Sequence, residues 1–344
     1  MSKQRLVWTP LDPAGLGDLP DGLRIERVDP GVDDGDRLDE IADVAFYVPA
    51  YDTPVDLASV LPAMTSLQVV QAQLAGVDAV ARHVPGGVTL CNARGVHDAS
   101  TAELAMTLLL ATLRGVPEFV RAQDDGRWAY GLRPALADRT VLLVGHGSIG
   151  EALERRLDGF ECDVLRVARQ PRRDSRGNDV HGLDDLAWLL PRADAVVLLV
   201  PLSDATRGLA GAGFLAAMKD GAVLVNVSRG PVVDTDALLA ETGSGRLLAA
   251  LDVTDPEPLP APPPALALAW RAGESARRRG VDGHGPTATR AAAHPAHPFR
   301  GGRAAGQRGA GTGSAIGGGD MTQRIPAVRP CPAPRMSVAS ASGR

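Results

Sequence analysis

The chain has 344 residues, which is enough for two compact domains that each bury a core of their own. Hydrophobic residues make up 44% of the sequence and charged residues 22%, the proportions of a soluble globular protein. A formal net charge of -5 offers no basic face for nucleic acid. No apolar run reaches the about 18 residues that a membrane span needs, so we expect neither a DNA-binding nor a membrane protein.

The first 97 residues predict a small α/β domain. Short apolar runs of β type alternate there with turn signals, and one stretch has helical character. The predicted strands cover residues 6–8, 44–48, 67–71 and 88–91, and the predicted helix covers residues 55–63.

A helix is predicted to begin at Ser100, because Ser100 and Glu103 have the spacing of a capping box. Apolar residues continue at helical spacing as far as Val116. This pattern predicts one long helix that leads from the first domain into a second domain over residues 98–260.

Beyond Arg139 the strands and helices alternate regularly. Continuous apolar strands separated by helices indicate a parallel sheet covered on both faces, and therefore a doubly wound Rossmann fold. The predicted strands cover residues 140–144, 163–168, 194–200, 222–227 and 247–253, and the predicted helices cover residues 149–157, 184–190, 214–218 and 235–241.

A glycine-rich turn follows the first strand of this domain: Gly145-His146-Gly147-Ser148-Ile149-Gly150 matches GxGxxG. The apolar strand directly before it and the helix that begins within it favour a dinucleotide site over a plain structural turn. Gly145 permits the tight turn, Gly147 lets the backbone approach the pyrophosphate, and Gly150 allows close packing of the helix.

The cofactor is predicted from the end of the second strand, where an NAD site usually carries an acidic residue. Arg169 stands there instead, followed by Arg172 and Arg173. Guanidinium groups suit a 2′-phosphate, so NADP(H) is favoured and NAD(H) remains open. The plain alternative is a solvated basic loop. No metal site is predicted, because Cys91, Cys162 and Cys331 lack metal-ligand spacing and indicate free thiols.

Several motifs together resemble the D-isomer-specific 2-hydroxyacid dehydrogenases, of the glyoxylate/hydroxypyruvate reductase type. The main one is Asn226-Val227-Ser228-Arg229-Gly230-Pro231-Val232-Val233-Asp234. Supporting matches are Gln73 to Asp78, Ala102-Glu103, Val200-Pro201-Leu202 with Thr206, Leu251-Asp252-Val253, and Glu257-Pro258. The resemblance covers roughly residues 40–260 and implies a flavodoxin-like substrate domain, a Rossmann cofactor domain and a cleft between them.

The resemblance also implies roles for single residues. Arg229 resembles the arginine that holds the substrate carboxylate and keto oxygen, and Glu257 the acid that pairs with a catalytic histidine. Outside these motifs, Arg229 and Glu257 would each be interpreted as a member of a surface ion pair. The backbone of Leu74, Ala75 and Gly76 resembles the loop that receives the substrate carboxylate. The positions that resemble cofactor-binding ones are Gly145, Gly147, Ser148, Ile149, Gly150, Arg169, Arg172, Pro201, Thr206, Val227 and Asp252.

The histidine that should follow Glu257 in a Thr-Pro-His-type context is missing. His284, His294 and His297 are not preceded by an apolar strand. From Pro262 onward Gly, Ala, Pro and Arg dominate, and apolar residues recur with neither the period of a strand nor that of a helix. Residues 261–344 are therefore predicted to be a disordered tail. We hypothesise a change of reading frame near Ala261; a natural disordered extension is the alternative.

These observations predict an oxidoreductase that transfers a hydride between NAD(P)H and a small 2-keto acid such as glyoxylate or hydroxypyruvate. Loss of a general acid lowers a rate by about 10²–10⁴-fold. A non-catalytic NAD(P)-binding protein or redox-sensing interaction module is the alternative, and a chain too incomplete to fold stably is a third. The resemblance implies a homodimer. The first ten residues lack a signal peptide, which predicts a cytoplasmic location.

Overall fold

The computed structural model describes residues 4–28, 39–50 and 55–259, all within one compact unit, Met1–Gly283. Two five-stranded parallel sheets and one two-stranded antiparallel hairpin form the framework. Among the described residues, none of the helices combines the length and the apolar character needed to cross a membrane. The predicted tail, with its histidines and Cys331, lies outside the described residues.

The first sheet has the strand order β2-β1-β3-β4-β5. Its strands are β1 (Arg5–Thr9), β2 (Leu23–Arg27), β3 (Val44–Tyr47), β4 (Val69–Gln71) and β5 (Thr89–Cys91), and its helices are α1 (Leu57–Ala63) and α2 (Asp78–Ala81). Short 3₁₀ turns lie at Pro13–Gly15 and Ile41–Asp43. The sheet confirms the α/β fold predicted for this part of the sequence.

Strand β2 was not predicted, and its sequence explains why. Leu23 and Ile25 alternate with Arg24, Glu26 and Arg27 at the outer edge of the sheet. An edge strand that is half exposed carries too few apolar residues to stand out from a loop.

The predicted long helix occurs, but the capping box was wrong and the helix ends before Val116. Helix α3 (Asp98–Leu113) begins two residues earlier, and the Ser100 hydroxyl donates to the carbonyl of His97. Glu103 pairs with Arg156 instead. Gly115 then adopts a left-handed conformation with φ 65°, which ends α3 and starts a separate helix, α4 (Val116–Asp124).

The second sheet has the strand order β12-β11-β10-β6-β7, and the predicted strands and helices occur with bounds that differ by one or two residues at several ends. Its strands are β6 (Thr140–Val144), β7 (Asp163–Val167), β10 (Ala195–Leu198), β11 (Val223–Asn226) and β12 (Leu248–Leu251). The helices are α5 (Ser148–Leu157), α6 (Leu186–Leu189), α7 (Ala212–Ala217) and α8 (Thr235–Gly243), with 3₁₀ turns at Leu183–Asp185, Leu190–Arg192 and Gly230–Val232. An unpredicted hairpin, β8 (Arg172–Arg173) and β9 (Asp179–Val180), follows β7.

Both faces of this sheet are covered, which confirms the doubly wound fold. Along β6, Val141 and Leu143 pack on the side of α3 and α5, whereas Leu142 and Val144 pack on the side of α6 and α7. All four side chains are fully buried. A strand that is buried on both faces reads as a continuous apolar run, which is why β6 was predicted with the correct bounds.

The sheet order reverses between β6 and β10, which lie side by side and run parallel. Ligands of doubly wound sheets bind outside the carboxyl ends of the strands at such a switch point. The glycine-rich turn after β6 and the segment 199–206 after β10 both lie there.

Truncating the two-sided core should destabilise the chain strongly. We expect Leu143→Ala to lower the free energy of unfolding by about 2–5 kcal/mol, because a fully buried side chain leaves a cavity. Leu248→Ala, at an edge-strand position that is 44% exposed, is the matched control and should cost about 1 kcal/mol or less. Urea denaturation measures both; equal losses would contradict the assigned packing.

Candidate functional site: the glycine-rich turn and the cleft beside it

The glycine-rich turn needs two of its glycines for reasons internal to the protein. Gly145 has φ +114°, and a Cβ there would lie 2.6 Å from the backbone carbon of Leu199. A Cβ on Gly150 would lie 2.5 Å from the carbonyl oxygen of Gly145. A Cβ on Gly147 would meet nothing within 4 Å. The protein therefore fills the space around two glycines and leaves the space around Gly147 open.

Helix α5 begins directly after this opening. Ser148 is its first residue and Ile149 its second, so the unpaired N–H groups of the first turn lie beside Gly147. The Ser148 hydroxyl donates to Asp98 Oδ1 over 3.1 Å and so ties the turn to the first turn of α3. The helix N-terminus and the open space together make a site for an anion such as a pyrophosphate.

The predicted arginines lie on or beside the β8–β9 hairpin. Arg172 Nη2 donates to the carbonyl oxygen of His146 over 2.6 Å, which places its guanidinium against the glycine-rich turn. Arg173 points to the hairpin itself, where it pairs with Asp179. Arg169 is exposed just before the hairpin. The structure thus brings Arg172 to the turn and keeps Arg173 within the hairpin.

A buried polar network behind the turn was not found from the sequence. His146, inside the motif, hydrogen-bonds through Nε2 to Glu154 Oε2 over 2.6 Å, and both residues are buried. Arg166 Nη2 donates to the other carboxylate oxygen of Glu154 over 2.6 Å. His146, Glu154 and Asp174 have the spacing of a metal-ligand group. However, Arg166 lies within 4 Å of both carboxylates and supplies the positive charge that a metal would bring.

The network sets the ionisation of its central carboxyl. Burial acts to raise the pKa of Glu154, but the hydrogen bonds from Arg166 and His146 outweigh it and hold the pKa below its ordinary value of 4.5. Glu154 is therefore ionised over the neutral range and stabilises the fold as a carboxylate.

On the opposite side of the cleft, Arg229 reaches from the end of β11 to the first sheet. Its Nε donates to Asp78 Oδ1 over 3.1 Å and its Nη2 to the carbonyl oxygen of Gly76 over 3.2 Å. A Cβ on Gly76 would overlap the guanidinium group, so only glycine permits this approach. The structure therefore brings together Arg229 and the loop 74–76, both of which were predicted site positions. The partner Asp78 was not predicted.

Asn226 holds the backbone that presents Arg229, and the sequence did not single it out for this task. Its side chain is fully buried; Nδ2 donates to the carbonyl of Arg229, and Oδ1 accepts from the N–H and hydroxyl of Ser228. A buried amide satisfied on both sides fixes a loop more firmly than exposed contacts would.

The loop 74–76 presents unused donors. The carbonyl of Leu74 accepts from Ala93, that of Ala75 from Asn92, and that of Gly76 from Arg229. Within the described part of the chain, the N–H groups of these three loop residues make no hydrogen bond. Backbone N–H groups beside a guanidinium are the partners that a carboxylate prefers.

The remaining predicted positions lie in the segments that follow β10, β11 and β12 of the second sheet. Thr206 is buried, and its hydroxyl donates to the carbonyl of the exposed Pro201, which closes the loop after β10. Val227 follows β11, and the N–H of Asp252 donates to the carbonyl of Asn226 over 2.9 Å. Glu257 is exposed in the segment after β12.

The Glu154 network predicts a pH dependence of stability. Because its pKa is lowered in the folded state, Glu154 contributes stability above about pH 4.5, and this contribution is lost as the pH falls through the lower folded value. We expect Glu154→Gln to lose about 1.5–3 kcal/mol at neutral pH and to show a smaller further loss in acid than the wild type. Glu151→Gln, one turn earlier on α5, should keep the wild-type pH profile. Unfolding free energies measured across this range would refute the assignment if both variants behaved alike.

Comparisons with known proteins agree with this geometry. The family model described as D-isomer specific 2-hydroxyacid dehydrogenase, NAD binding domain, matches residues 106–270. The human glyoxylate reductase/hydroxypyruvate reductase is 39% identical over 180 residues, which cover 49% of this chain and 54% of that protein. The chain thus spans about half the length of the curated relatives it matches.

Solved structures extend the match over both sheets. The D-isomer specific 2-hydroxyacid dehydrogenase of Xanthobacter autotrophicus Py2, in complex with NADPH and MES, aligns with a TM-score of 0.67 and 30% identity, covering 80% of this chain and 89% of that one. The NADPH-dependent glyoxylate/hydroxypyruvate reductase of Sinorhizobium meliloti, with NADP and malonate, aligns with a TM-score of 0.61 and 28% identity over 81% and 90% of the two chains. The chain belongs to the D-isomer specific 2-hydroxyacid dehydrogenase family.

Proposed function

We propose that the chain binds NADP(H) and transfers a hydride between it and a small 2-keto or D-2-hydroxy acid of the glyoxylate/hydroxypyruvate type. The observation that carries this proposal is the pairing of Arg229 with the loop 74–76, whose N–H groups make no hydrogen bond to any residue that the structure describes. A guanidinium beside free backbone donors fits the carboxylate and keto oxygen of a 2-keto acid. The human and Sinorhizobium relatives, by name, are reductases of such acids.

The residues around the turn fit a dinucleotide. The open space at Gly147 and the first turn of α5 would receive the pyrophosphate, with Ser148 and Ile149 at the helix N-terminus. By the resemblance, Pro201, Thr206 and Val227 would also contact the cofactor, and Asp252 would hydrogen-bond the carboxamide of its nicotinamide. When bound, the cofactor supplies the hydride.

The preference for NADP(H) rests on the segment after β7. It carries Arg169 and Arg172 where an NAD site usually has a carboxylate, and Arg172 already lies against the turn. NAD(H) binding at lower affinity remains the second expectation.

The domain assignment follows the two sheets. We assign residues 1–97 to a substrate domain and residues 98–260 to the cofactor domain, with the loop 74–76 from the first and Arg229 from the second facing each other. In this arrangement Arg229 orients the substrate and polarises its keto oxygen.

The reaction is completed by transfer of a proton to the keto oxygen. Glu257 would pair with a histidine as the general acid, and the histidine expected after it is missing from the sequence. Turnover by this chain should therefore be about 10²–10⁴-fold below that of a complete enzyme. The change of reading frame near Ala261 remains our hypothesis for the missing histidine and for the composition of residues 261–344.

An assay of NADPH and NADH oxidation with glyoxylate, hydroxypyruvate and pyruvate tests this proposal. The chain is compared with a version whose tail is restored from the alternative reading frame. We expect turnover from the restored version and little from the chain itself. Equal turnover would show that a tail residue or water replaces the histidine. Cofactor binding without turnover by either version would favour the non-catalytic binding protein or redox-sensing module.

The space at Gly147 gives a prediction that separates folding from binding. We expect Gly147→Ala to keep the wild-type melting temperature and to lose more than about tenfold in NADPH affinity, because the methyl group occupies the pyrophosphate position. Gly159→Ala, at a turn position that is equally open, is the control and should bind as the wild type does. Unchanged NADPH binding in both variants, followed by fluorescence titration, would rule out this site.

A homodimer is the proposed assembly, supported by an exposed apolar segment, residues 128–132. Trp128, Tyr130 and Leu132 are 92%, 84% and 87% exposed, and Val120 of the preceding helix α4 is 51% exposed. Apolar side chains grouped in this way on a surface usually mark an interface.

A cytoplasmic location also remains a prediction.

Polar substitutions in this segment test the dimer. We expect sedimentation of the wild type as a dimer and of the Trp128→Ser/Leu132→Ser variant as a monomer with an unchanged fold. Leu19→Ser, at an isolated exposed position, should remain dimeric. A wild-type monomer at micromolar concentration would contradict the proposed assembly.

A further inference from the structure

The proposed function assigns no role to the buried polar network of His146 and Glu154. The side chain of His146 is 0% exposed and that of Glu154 4%, directly behind the glycine-rich turn. Buried charges cost free energy unless they are paired, so their place in this fold calls for a physical reason.

Glu154 holds two neighbours at once. A carboxylate only accepts, so the short contact with His146 places a proton on Nε2, while Nδ1 has no hydrogen-bond partner among the described residues. The other oxygen of Glu154 accepts from Arg166 of β7. The His146 ring is thereby fixed between α5 and β7, and its backbone carbonyl is the group on which Arg172 rests.

The same network anchors the tip of the β8–β9 hairpin. Asp174, within 4 Å of Arg166, accepts from the N–H groups of Arg176 and Asn178. Arg176 pairs with Asp158 at the end of α5 through two hydrogen bonds of 3.0 and 2.7 Å and lies 3.6 Å from Glu154. The hairpin that carries Arg172 is therefore held to α5 mainly by charged side chains.

The glycine-rich turn itself does not depend on these charges. The N–H groups of Gly145 and His146 both donate to the carbonyl of Val167, and Gly150 packs against the carbonyl of Gly145. Loss of the network should therefore disturb the hairpin far more than the pyrophosphate position.

We propose that Glu154 is a positioning residue for cofactor selectivity, which acts through His146 and Arg166 to keep Arg172 where it can meet a 2′-phosphate. This inference rests on the proposed function, because it assumes dinucleotide binding at the turn. It makes the preference for NADPH over NADH depend on a buried carboxylate that touches neither cofactor.

The test measures dissociation constants of NADPH and NADH for the full chain, together with those of adenosine 2′,5′-bisphosphate and 5′-AMP. We expect Glu154→Gln to weaken NADPH and the bisphosphate about tenfold, the effect of one charge-assisted contact, and to change NADH and 5′-AMP less than about twofold. Glu151→Gln on the same helix removes the same charge outside the network and should preserve the ratio of the two cofactors.

Two results would overturn the inference: equal weakening of both cofactors, which indicates a general structural role, or no change in either. If Glu154→Gln does not fold, Asp174→Asn replaces it, with the same expected loss of selectivity. A wild-type chain that binds neither cofactor would instead refute the proposed function, and the inference with it.

Discussion

The contact of Arg229 with Gly76 and Asp78 is the interaction on which the site depends. It joins residues that lie more than 150 positions apart in the chain and connects the two sheets. Close approach is possible because Gly76 has no Cβ, and because Gly230 next to Arg229 packs directly against the backbone of Thr254. Larger side chains at either glycine would push the arginine away from the loop that it faces.

The position of this contact follows from the order of the second sheet. Parallel strands present all their carboxyl ends at one edge of the sheet. The parallel arrangement alone therefore brings the turns after β6, β10 and β11 together. Asn226 then converts the end of β11 into a rigid platform, because its buried amide bonds both Ser228 and Arg229. The apolar interior thus provides the rigidity, and a few buried polar groups determine the direction in which the site residues point.

A second constraint lies behind the glycine-rich turn. There, the turn is held by backbone hydrogen bonds to Val167. The hairpin beside it is joined to β7 by backbone hydrogen bonds at His181, but its tip is held to α5 by ion pairs that include Glu154, Arg166 and Asp174. The glycine-rich turn and the tip of the hairpin are therefore stabilised by different interactions. If the proposed function holds, affinity for the dinucleotide and selectivity for its 2′-phosphate should be separable by substitution.

The sequence was sufficient where the signal was local. Strand β6 and the glycine-rich turn could be predicted because a run of apolar residues leads straight into a spacing that few other structures require. The start of α3 was mispredicted because the hydroxyl of Ser100 has a competing acceptor, the carbonyl of His97. Strand β2 and the β8–β9 hairpin are short and rich in charge, so periodicity does not reveal them.

The partners of the site residues were beyond local patterns altogether. Asp78 lies 151 residues from Arg229, and nothing in the sequence near either position indicates that they meet. The network of His146 and Glu154 was hidden for a different reason: buried charges on a helix look the same in sequence as charges on its solvated face. Both features became visible only when the fold placed the elements together.

The most direct test of the account is calorimetric titration of the NADPH-loaded chain with oxamate, which imitates a small 2-keto acid but cannot be reduced in its place. The wild type should bind oxamate saturably, and Arg229→Gln should lose this binding while retaining NADPH. Equal oxamate binding by the two proteins would contradict the role assigned to Arg229 and the loop that it faces.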